Sequence, residues 1–585
     1  MNTLRGTATD LAPVRSNFGF APGGRRMACV RTRGRDTAFE VWDFDSGTAR
    51  LRHEEPSAGR AGQAQPLGDD RVLLLPKSGE RRPLTLLERD GRRRVLHEPT
   101  ALGGYLLPGP DSSSLGLLIT HESAAESVVW RVGDRGAEAV VRLPGAASGG
   151  VWLDARRELL AVNLTSAPGV RDGVLVDLRQ RCWRTLLSLS PDSSDRVIAF
   201  HPATGLLVVE TNAGGPERFG WARLDGANTV RFPDSLRTSE HRHTALAVDP
   251  SGNRILVQRY SGAVSTLHVY RPDHDRLEPL AIPAGVTRGP AQWSRHGIRL
   301  PFTSPTQPTT LLTIAPRRQP SVLPGDAGPR DWAGAELVPL NAAAGEVEAI
   351  VYGSDWARAD RLVLALHGGP LSSWRMEFEP LFQDLTAAGI CVVAPNYRGS
   401  TGYGRAHLDP VIGAWGGPDL DDVVAIAADL GSKRAGLPPP MVLGVSYGAF
   451  LALLAASAAP HMWSACVALA PLLSGARLHS AGAPWVGRRA AKLGALEEID
   501  DDLGTRDVLR LCPSISAPLL LMHGTDDEVI PVEQSRALRN RLLESGAADR
   551  LDYRELPAGH HEVVTGRSGE VRDAVTRFCG SWGRA

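Results

Sequence analysis

One short stretch of the sequence combines residue types that could do chemistry. In MVLGVSYGAF (441–450), Ser446 stands between two glycines. The pattern Gly-x-Ser-x-Gly is weak by itself, because the chain contains 62 glycines. Its context is stronger, since an apolar run typical of a buried strand precedes Ser446 and an apolar run of helical length follows it. A serine on the turn between a strand and a helix is typical of a nucleophile elbow, so we predict that Ser446 is a nucleophile.

A serine hydroxyl becomes a good nucleophile only beside a base, usually a histidine that a carboxylate orients. In chains with this elbow the order is Ser, then Asp or Glu, then His. The segment LLLMHGTDDEVIP (519–531) supplies Asp526 and Asp527, and LPAGHHEV (556–563) supplies His560 and His561. We select Asp527 and His560 as the partners of Ser446. Asp526 and His561 stay open as alternatives.

Hydrolysis through such a serine also needs two N–H donors for the oxyanion. One comes from the residue after the nucleophile, here Tyr447, and the other from a loop after an earlier strand. The sequence ALHGGP (365–370) ends an apolar run, and its glycines would let the backbone approach a substrate closely. We predict that the N–H groups of Tyr447 and Gly369 form the oxyanion hole.

The elements that must position these residues alternate between strand and helix. Apolar strands are predicted at 361–367, 390–395, 440–444, 463–471 and 517–523, and helices at 376–389, 418–434 and 447–460. Alternating buried strands and helices indicate a doubly wound, mostly parallel sheet, in which reactive residues lie at the carboxyl ends of strands. We therefore assign residues 346–585 to an α/β-hydrolase catalytic domain.

The first 320 residues are different, because short apolar strands alternate there with turn signals. Such turns recur about every 45 residues, which is the repeat length of a four-stranded propeller blade. They lie near Pro22, Gly68, Pro110, Asp154, Pro202, Pro250 and Arg295. Seven repeats predict an all-β seven-bladed β-propeller over 18–320, and a pair of irregular β-sandwiches is the alternative. The Pro-, Gly- and Ala-rich residues 321–345 are predicted to be a linker.

Composition limits the class of partner. The formal net charge is zero, which gives no indication of nucleic acid or an anionic membrane as a partner. The six cysteines show no metal-ligand spacing, and we predict neither a metal nor another cofactor. The start of the sequence has no apolar core typical of a signal peptide, and no later stretch reaches 18 uninterrupted apolar residues, so we expect a cytoplasmic protein.

Several motifs, taken together, resemble the prolyl oligopeptidase family of serine peptidases, and most closely its acylaminoacyl-peptidase branch. They are HGGP (367–370), PNYRGSTGYG (395–404), GAWGGPDLDDV (413–423), GVSYGAF (444–450), HGTDDEVIP (523–531) and GHH (559–561). The resemblance implies a propeller that caps the hydrolase domain, an active site in the cavity between them, and residues 1–17 packed back on the hydrolase domain.

The sequence departs from the family pattern at several positions. Ala449 replaces a second glycine after the elbow, and Val529 replaces an arginine that contacts substrate in several members. The dipeptidyl-peptidase branch uses paired glutamates to bind an amino terminus, but the pairs at 54–55 and 497–498 are interpreted as solvated carboxylates. Pocket residues are expected within 471–495, with Trp485, Val486 and Arg488 as candidates.

The sequence therefore predicts a serine hydrolase that cleaves short peptides or acyl- and aminoacyl-peptides through an acyl-enzyme. An esterase, amidase or transacylase acting on a specialised metabolite is the alternative, since the same site serves both chemistries. A propeller interaction protein with an inactive hydrolase domain is a third hypothesis. The expected partner is a small peptide or acylated small molecule, and assembly into a homo-oligomer stays open.

Overall fold

The computed structural model of the chain describes residues 13–582, except for 22, 34–35, 46–47, 57–61, 77–82, 100, 102, 110–113, 168, 225–228, 237–241, 325–331, 354 and 567. Seven antiparallel sheets follow one another along residues 14–322, and an eight-stranded sheet with helices on both faces follows them. The seven-bladed propeller and the α/β-hydrolase domain are thus confirmed.

The blades contain the following strands. Blade 1 has β1 (Val14–Phe20), β2 (Arg26–Arg33), β3 (Asp36–Asp45) and β4 (Thr48–Pro56), and blade 2 has β5 (Gln63–Pro66), β6 (Val72–Leu75), β7 (Leu84–Leu87) and β8 (Arg93–His97). Blade 3 has β9 (Gly103–Pro108), β10 (Gly116–Ser123), β11 (Glu126–Gly133) and β12 (Gly136–Leu143), and blade 4 has β13 (Ala146–Trp152), β14 (Leu159–Ala167), β15 (Val170–Asp177) and β16 (Cys182–Leu187). Blade 5 has β17 (Arg196–His201), β18 (Leu206–Thr211) and β19 (Arg218–Arg223), and blade 6 has β20 (Arg242–Val248), β21 (Ile255–Ser261), β22 (Val264–Arg271) and β23 (Arg276–Leu280). Blade 7 has β24 (Val286–Thr287), β25 (Gln292–Ser294), β26 (Gly297–Ser304), β27 (Gln307–Ile314) and β28 (Ser321–Val322).

The ring of blades is closed by side-chain packing. Each of seven apolar clusters joins two neighbouring blades, and the cluster with Phe18, Met27 and Leu311 joins blade 1 to blade 7. Each of the seven turns that set the repeat length lies between the first two strands of its blade, or, in blade 7, between β25 and β26. The repeat was visible in the sequence because every blade buries the same two faces.

The hydrolase sheet has the order β29-β30-β32-β31-β33-β34-β35-β36. Its strands are β29 (Ala335–Ala342), β30 (Gly345–Tyr352), β31 (Leu362–Leu366), β32 (Cys391–Pro395), β33 (Met441–Val445), β34 (Cys466–Leu469), β35 (Leu519–Gly524) and β36 (Leu551–Leu556). The pairs from β32 to β36 are parallel, whereas β29 and β30 pair antiparallel. Alternate residues of β31 enter the two apolar clusters on opposite faces of the sheet, so the strand is buried on both sides.

Helices cover both faces. They are α1 (Pro380–Ala387), α2 (Arg405–Leu408), α3 (Pro418–Lys433), α4 (Tyr447–Ala458), α5 (Gly475–Ala481), α6 (Pro484–Lys492), α7 (Val508–Leu511), α8 (Glu533–Glu544), α9 (His560–Val564) and α10 (Gly569–Ser581). Helix α4 is almost wholly buried under the sheet, which explains its lack of a polar face. It therefore holds the turn at its first residue rigidly.

The domain boundaries differ from the predicted ones. Residues 14–17 belong to β1, and residues 1–12 lie outside the described residues, so the packing of 1–17 on the hydrolase domain stays a prediction. Strand β29 lies inside the predicted linker 321–345. It is a half-exposed edge strand that contains Pro339. Because a proline and many exposed positions are also typical of a linker, the sequence of this strand resembled one.

Candidate active site

Ser446 lies on a strained turn between β33 and α4. Its φ of 56° and ψ of −118° are unusual for a residue with a side chain, and its side chain is only partly buried. A Cβ on Gly444 would lie 2.0 Å from the carbonyl oxygen of Gly448, and one on Gly448 would lie 2.3 Å from that of Leu366. Both glycines are therefore required for the close approach of strand and helix. Ala449, by contrast, packs its methyl group in the core.

The structure brings His560 and Asp527 to Ser446. The Nε2 of His560 lies 3.1 Å from the Ser446 Oγ, and its Nδ1 lies 2.7 Å from the Asp527 Oδ2. Because the carboxylate only accepts, Nδ1 carries a proton and Nε2 can accept the serine proton. Asp526 and His561, the alternatives, are both exposed, whereas the bonded set consists of Ser446, His560 and Asp527.

The Asp527 carboxylate is fully buried and surrounded by donors. Its Oδ1 accepts the N–H groups of Val529 and Ile530 at 2.9 and 2.8 Å. The Nε2 of His523 lies 3.2 Å from Oδ2. Burial alone would raise the pKa of Asp527, but the hydrogen bonds from His523, His560 and the backbone outweigh it and hold that pKa well below its usual range. The carboxylate is therefore ionised at neutral pH.

His523 is a residue that sequence reasoning did not select for the site. Its Nε2 also lies 2.9 Å from the carbonyl oxygen of Ile530, and its Nδ1 lies 2.6 Å from the Ser535 Oγ. The ring is wholly buried. Its position four residues before Asp527, at the end of β35, was the available signal.

The loop that contains Gly369 lies beside Ser446. A Cβ on Gly368 would lie 3.5 Å from the Ser446 Cβ, and Gly369 adopts a φ of 144°. Tyr447 is the first residue of α4, so its N–H has no intrahelical acceptor. The two predicted donors therefore lie on segments that flank Ser446.

The Tyr447 side chain points away from the site, into the core. Its hydroxyl donates to the Asp419 Oδ2 at 2.5 Å. Its ring packs edge-to-face with the ring of Trp415. Burial raises the pKa of Asp419 to about 6, against the lowering effect of the hydrogen bond from Tyr447. Asp422, one turn along α3, binds the guanidinium of Arg398 at 2.8 Å. The motifs around 398 and 419 therefore supply residues that pack and hydrogen-bond behind the turn that contains Ser446.

A cavity of about 1080 Å³ lies between the propeller and the hydrolase domain. Its hydrolase wall includes His367, Gly368, Val445 and His561, the last two being neighbours of Ser446 and His560. Its propeller wall comes from blades 1, 2, 3 and 7. The Arg288 guanidinium in this cavity pairs with Glu377 across the domain boundary.

The predicted pocket residues do not line this cavity. Val486 is 7% exposed and packs in the hydrolase core, while Trp485 and Arg488 are exposed on α6. The helix turns one face into the hydrolase core and the other to solvent, so neither face lines the cavity. The glutamates at 54 and 55 lie on the outer strand of blade 1 and pair with Arg31 and Arg93.

Two further structural facts concern the described residues only. None of their helices is long and apolar enough to cross a membrane. Among these same residues, no cluster of three His, Cys, Asp or Glu side chains has the arrangement of a metal site.

Comparison with known protein sequences finds relatives of the hydrolase domain. Residues 376–581 match the model of the prolyl oligopeptidase family. The chain is 31% identical over 229 residues to the uncharacterized peptidase YuxL of Bacillus subtilis, and 29% identical over 196 residues to the acylamino-acid-releasing enzyme of Rattus norvegicus. These matches cover 38% and 31% of this chain, but only 34% and 26% of the relatives' own lengths.

Solved structures resemble the chain over nearly its whole length. A puromycin-hydrolyzing peptidase of Mycobacterium tuberculosis has a TM-score of 0.76 at 18% identity, covering 98% of this chain and 96% of that one. An acylaminoacyl peptidase of Pyrococcus horikoshii has a TM-score of 0.77 at 13% identity, with the same coverage. At sequence identities this low, the similarity to these structures shows a shared fold only. Residues 376–581, together with the motifs around Ser446, are therefore similar to the prolyl oligopeptidase family.

Proposed function

We propose that the protein is a serine peptidase that cleaves short peptides or acyl- and aminoacyl-peptides through an acyl-enzyme. The observation that carries the proposal is the position of the His560 ring, 2.7 Å from a buried carboxylate on one side and 3.1 Å from the Ser446 hydroxyl on the other. That spacing supports proton transfer from Ser446 to His560.

In the proposed mechanism, the Ser446 Oγ attacks the substrate carbonyl carbon while His560 Nε2 takes the hydroxyl proton. The carbonyl oxygen becomes an oxyanion that accepts from the N–H groups of Tyr447 and Gly369. Asp527 stabilises the charged imidazole, and the leaving group departs with the proton from Nε2. Water then attacks the ester, gives a proton to His560, and releases Ser446 and the acid.

The cavity supports a short substrate. Its volume of about 1080 Å³ is at the upper end of small-molecule pockets. A folded domain of 100 residues has a radius of gyration of about 13 Å and would not enter. The propeller wall therefore favours oligopeptides or acylated small molecules.

The test is covalent labelling by a fluorophosphonate probe. Wild-type protein should be labelled at Ser446, and Ser446→Ala should lose both labelling and turnover while keeping its circular dichroism spectrum. Ser16→Ala is the matched control, because Ser16 lines the same cavity from the propeller side. Labelling that survives Ser446→Ala would overturn the assignment.

A substrate panel then defines the acyl group. It contains chromogenic amides of free amino acids, of N-acyl amino acids and of short peptides, together with simple esters. The proposal expects turnover of the amides. Turnover confined to esters would instead assign the esterase alternative, and no turnover with no labelling would indicate an inactive hydrolase domain.

A further inference from the structure

The loop that carries Gly369 is held by a second loop through a buried histidine. We call residues 367–376 the oxyanion loop and residues 396–403 the support loop. The Ser400 Oγ lies 2.7 Å from the His367 Nε2, and the His367 Nδ1 lies 2.7 Å from the carbonyl oxygen of Gly368. A carbonyl only accepts, so Nδ1 carries the proton and Nε2 accepts from Ser400. Both ring nitrogens are thus used to fix the peptide next to Gly369.

The chemical state of His367 suits this role. The ring is 2% exposed and stacks on Tyr397 at 4.4 Å. Burial lowers the pKa of His367 to about 4, so the ring is neutral at physiological pH and keeps one tautomer. The Tyr397 hydroxyl also donates to the His367 carbonyl oxygen at 2.8 Å.

The support loop grips the rest of the oxyanion loop as well. The Thr401 N–H donates to the Ser372 carbonyl oxygen at 2.7 Å. The Asn396 amide accepts the Trp374 N–H at 2.8 Å and donates to the Trp374 carbonyl oxygen at 3.1 Å. Since Asn396 is wholly buried, these bonds hold the two loops in one register.

A hairpin of the propeller completes the arrangement. We call residues 261–264, between β21 and β22, the blade 6 hairpin. The Gly262 N–H donates to the Gly402 carbonyl oxygen of the support loop at 2.9 Å. The Met376 N–H of the oxyanion loop donates to the Ala263 carbonyl oxygen at 2.9 Å, and the Ala263 side chain is buried in the hydrolase core.

One carboxylate links the hairpin to the support loop. The Glu348 Oε1, on β30, accepts the Ala263 N–H at 2.8 Å and the Tyr403 hydroxyl at 2.6 Å. The Asn396 Nδ2 donates to that same hydroxyl at 2.6 Å. Hydrogen bonds therefore tie the hairpin to the support loop, and the support loop in turn is bonded through Ser400 and His367 to the peptide beside Ser446.

We infer that the propeller positions the oxyanion donor, with the blade 6 hairpin acting through Tyr403, Ser400 and His367 as positioning residues. The inference rests on the proposed function, because it assumes that Gly369 donates to the oxyanion. A donor contributes to catalysis only when it is aimed at the position that the oxyanion occupies. Loosening the hairpin would then lower turnover although no residue of the hairpin lines the cavity.

The first test compares three variants. Ser400→Ala breaks the bond to His367, and Tyr403→Phe breaks the link to Glu348. Tyr270→Phe is the matched control, because the Tyr270 hydroxyl also donates to a carboxylate, that of Asp275 at 3.0 Å, but inside blade 6. We expect kcat to fall about tenfold to hundredfold for Ser400→Ala and severalfold for Tyr403→Phe, with KM nearly unchanged. Tyr270→Phe should keep wild-type kcat.

Inhibition by a peptide aldehyde is a measurement that a purely structural role of these residues would leave unchanged. Its adduct with Ser446 places an oxygen in the oxyanion hole, so its inhibition constant should rise in parallel with the loss of kcat/KM. Equal kcat and equal aldehyde affinity in wild type and Ser400→Ala would overturn the inference. Failure of wild type itself to be labelled by the fluorophosphonate would instead overturn the proposed function.

The second test perturbs the hairpin alone. A Cβ on Gly262 would lie 2.6 Å from the Glu348 Oε1, whereas one on Gly91, in a turn of blade 2, meets no atom within 4 Å. Both glycines have positive φ, so alanine costs similar backbone strain at either position. We expect Gly262→Ala to lower kcat and weaken aldehyde binding, and Gly91→Ala to do neither. Equal kcat in the two variants would contradict a role of the hairpin.

Discussion

Asp527 and Asp419 are both fully buried next to the Ser446 turn, one beside it and one behind it. Asp527 reaches the serine through the His560 ring, and Asp419 contacts the side chain of Tyr447. Their pKa values nevertheless move in opposite directions from the same ordinary value of 3.8. Burial raises both, so the difference comes from the groups that surround each carboxylate.

The surroundings differ in number and charge of donors. Asp527 has two backbone N–H groups and two histidine rings within hydrogen-bonding or ion-pair distance. Asp419 has one hydroxyl and the N–H of Leu420, and the nearby Asp422 raises its pKa further. The donor set thus keeps a charge on Asp527, where the proposed mechanism moves a proton, and leaves Asp419 easier to protonate.

The largest expected effect is on Asp527. Asp527→Asn keeps the shape of the side chain but removes the charge that orients and stabilises His560, so kcat should fall about 10⁴-fold. Steady-state turnover of the best chromogenic substrate measures this loss. Asp526→Asn, at the exposed neighbour, should stay near wild type, and similar losses in both variants would contradict the assignment of Asp527.

How much of this site follows from sequence depends on whether a group is placed by the local chain or by packing. Ser446, Asp527 and His560 each follow the end of a recognisable strand, so their convergence at one sheet edge was predictable. The blades were predictable from their repeated turns. The contact of Asp419 with Tyr447 joins two different helices and required the folded structure, whereas the contact of His523 with Asp527 spans only four residues and had a signal in the sequence.

The candidate pocket residues Trp485, Val486 and Arg488 lie away from the cavity for a related reason. Neither face of α6 lines the cavity, and where this helix lies relative to the propeller is set by elements distant in the sequence. The support of the oxyanion loop by blade 6 is a more distant case, since residues 262 and 402 come from different domains.

An intermediate effect is expected on stability at Asp419. Its pKa of about 6 in the folded protein exceeds the ordinary value of 3.8, so its contribution to stability is complete below about pH 3.8 and is lost as pH rises through 6. At pH 8 the buried charge costs about 3 kcal/mol of unfolding free energy. Asp419→Asn removes this cost, and its unfolding free energy should fall less than that of wild type between pH 4 and 8.

Urea denaturation across that pH range measures the difference. Asp421→Asn is the control, because Asp421 lies in the same first turn of α3 but is exposed. The sign is opposite for Asp527, whose lowered pKa stabilises the fold above pH 3.8 and ceases to do so in acid. Parallel pH curves for wild type and Asp419→Asn would contradict the contrast between the two carboxylates.

The smallest expected effect concerns Glu528, the residue after Asp527, whose side chain accepts a backbone N–H of the loop that contains His560. Its Oε2 accepts the His560 N–H at 3.3 Å, while the Glu562 Oε2 accepts the Gly559 N–H at 3.1 Å. A neutral amide oxygen accepts an N–H as a carboxylate does, so Glu528→Gln should stay within about twofold of wild-type kcat, whereas Glu528→Ala should lose about threefold to tenfold. Turnover at saturating substrate separates these cases. A loss in Glu528→Gln as large as that in Glu528→Ala would mean that the negative charge of Glu528 itself acts on His560. Glu528 would then resemble Asp527, whose charge matters, and would not serve only to position the backbone.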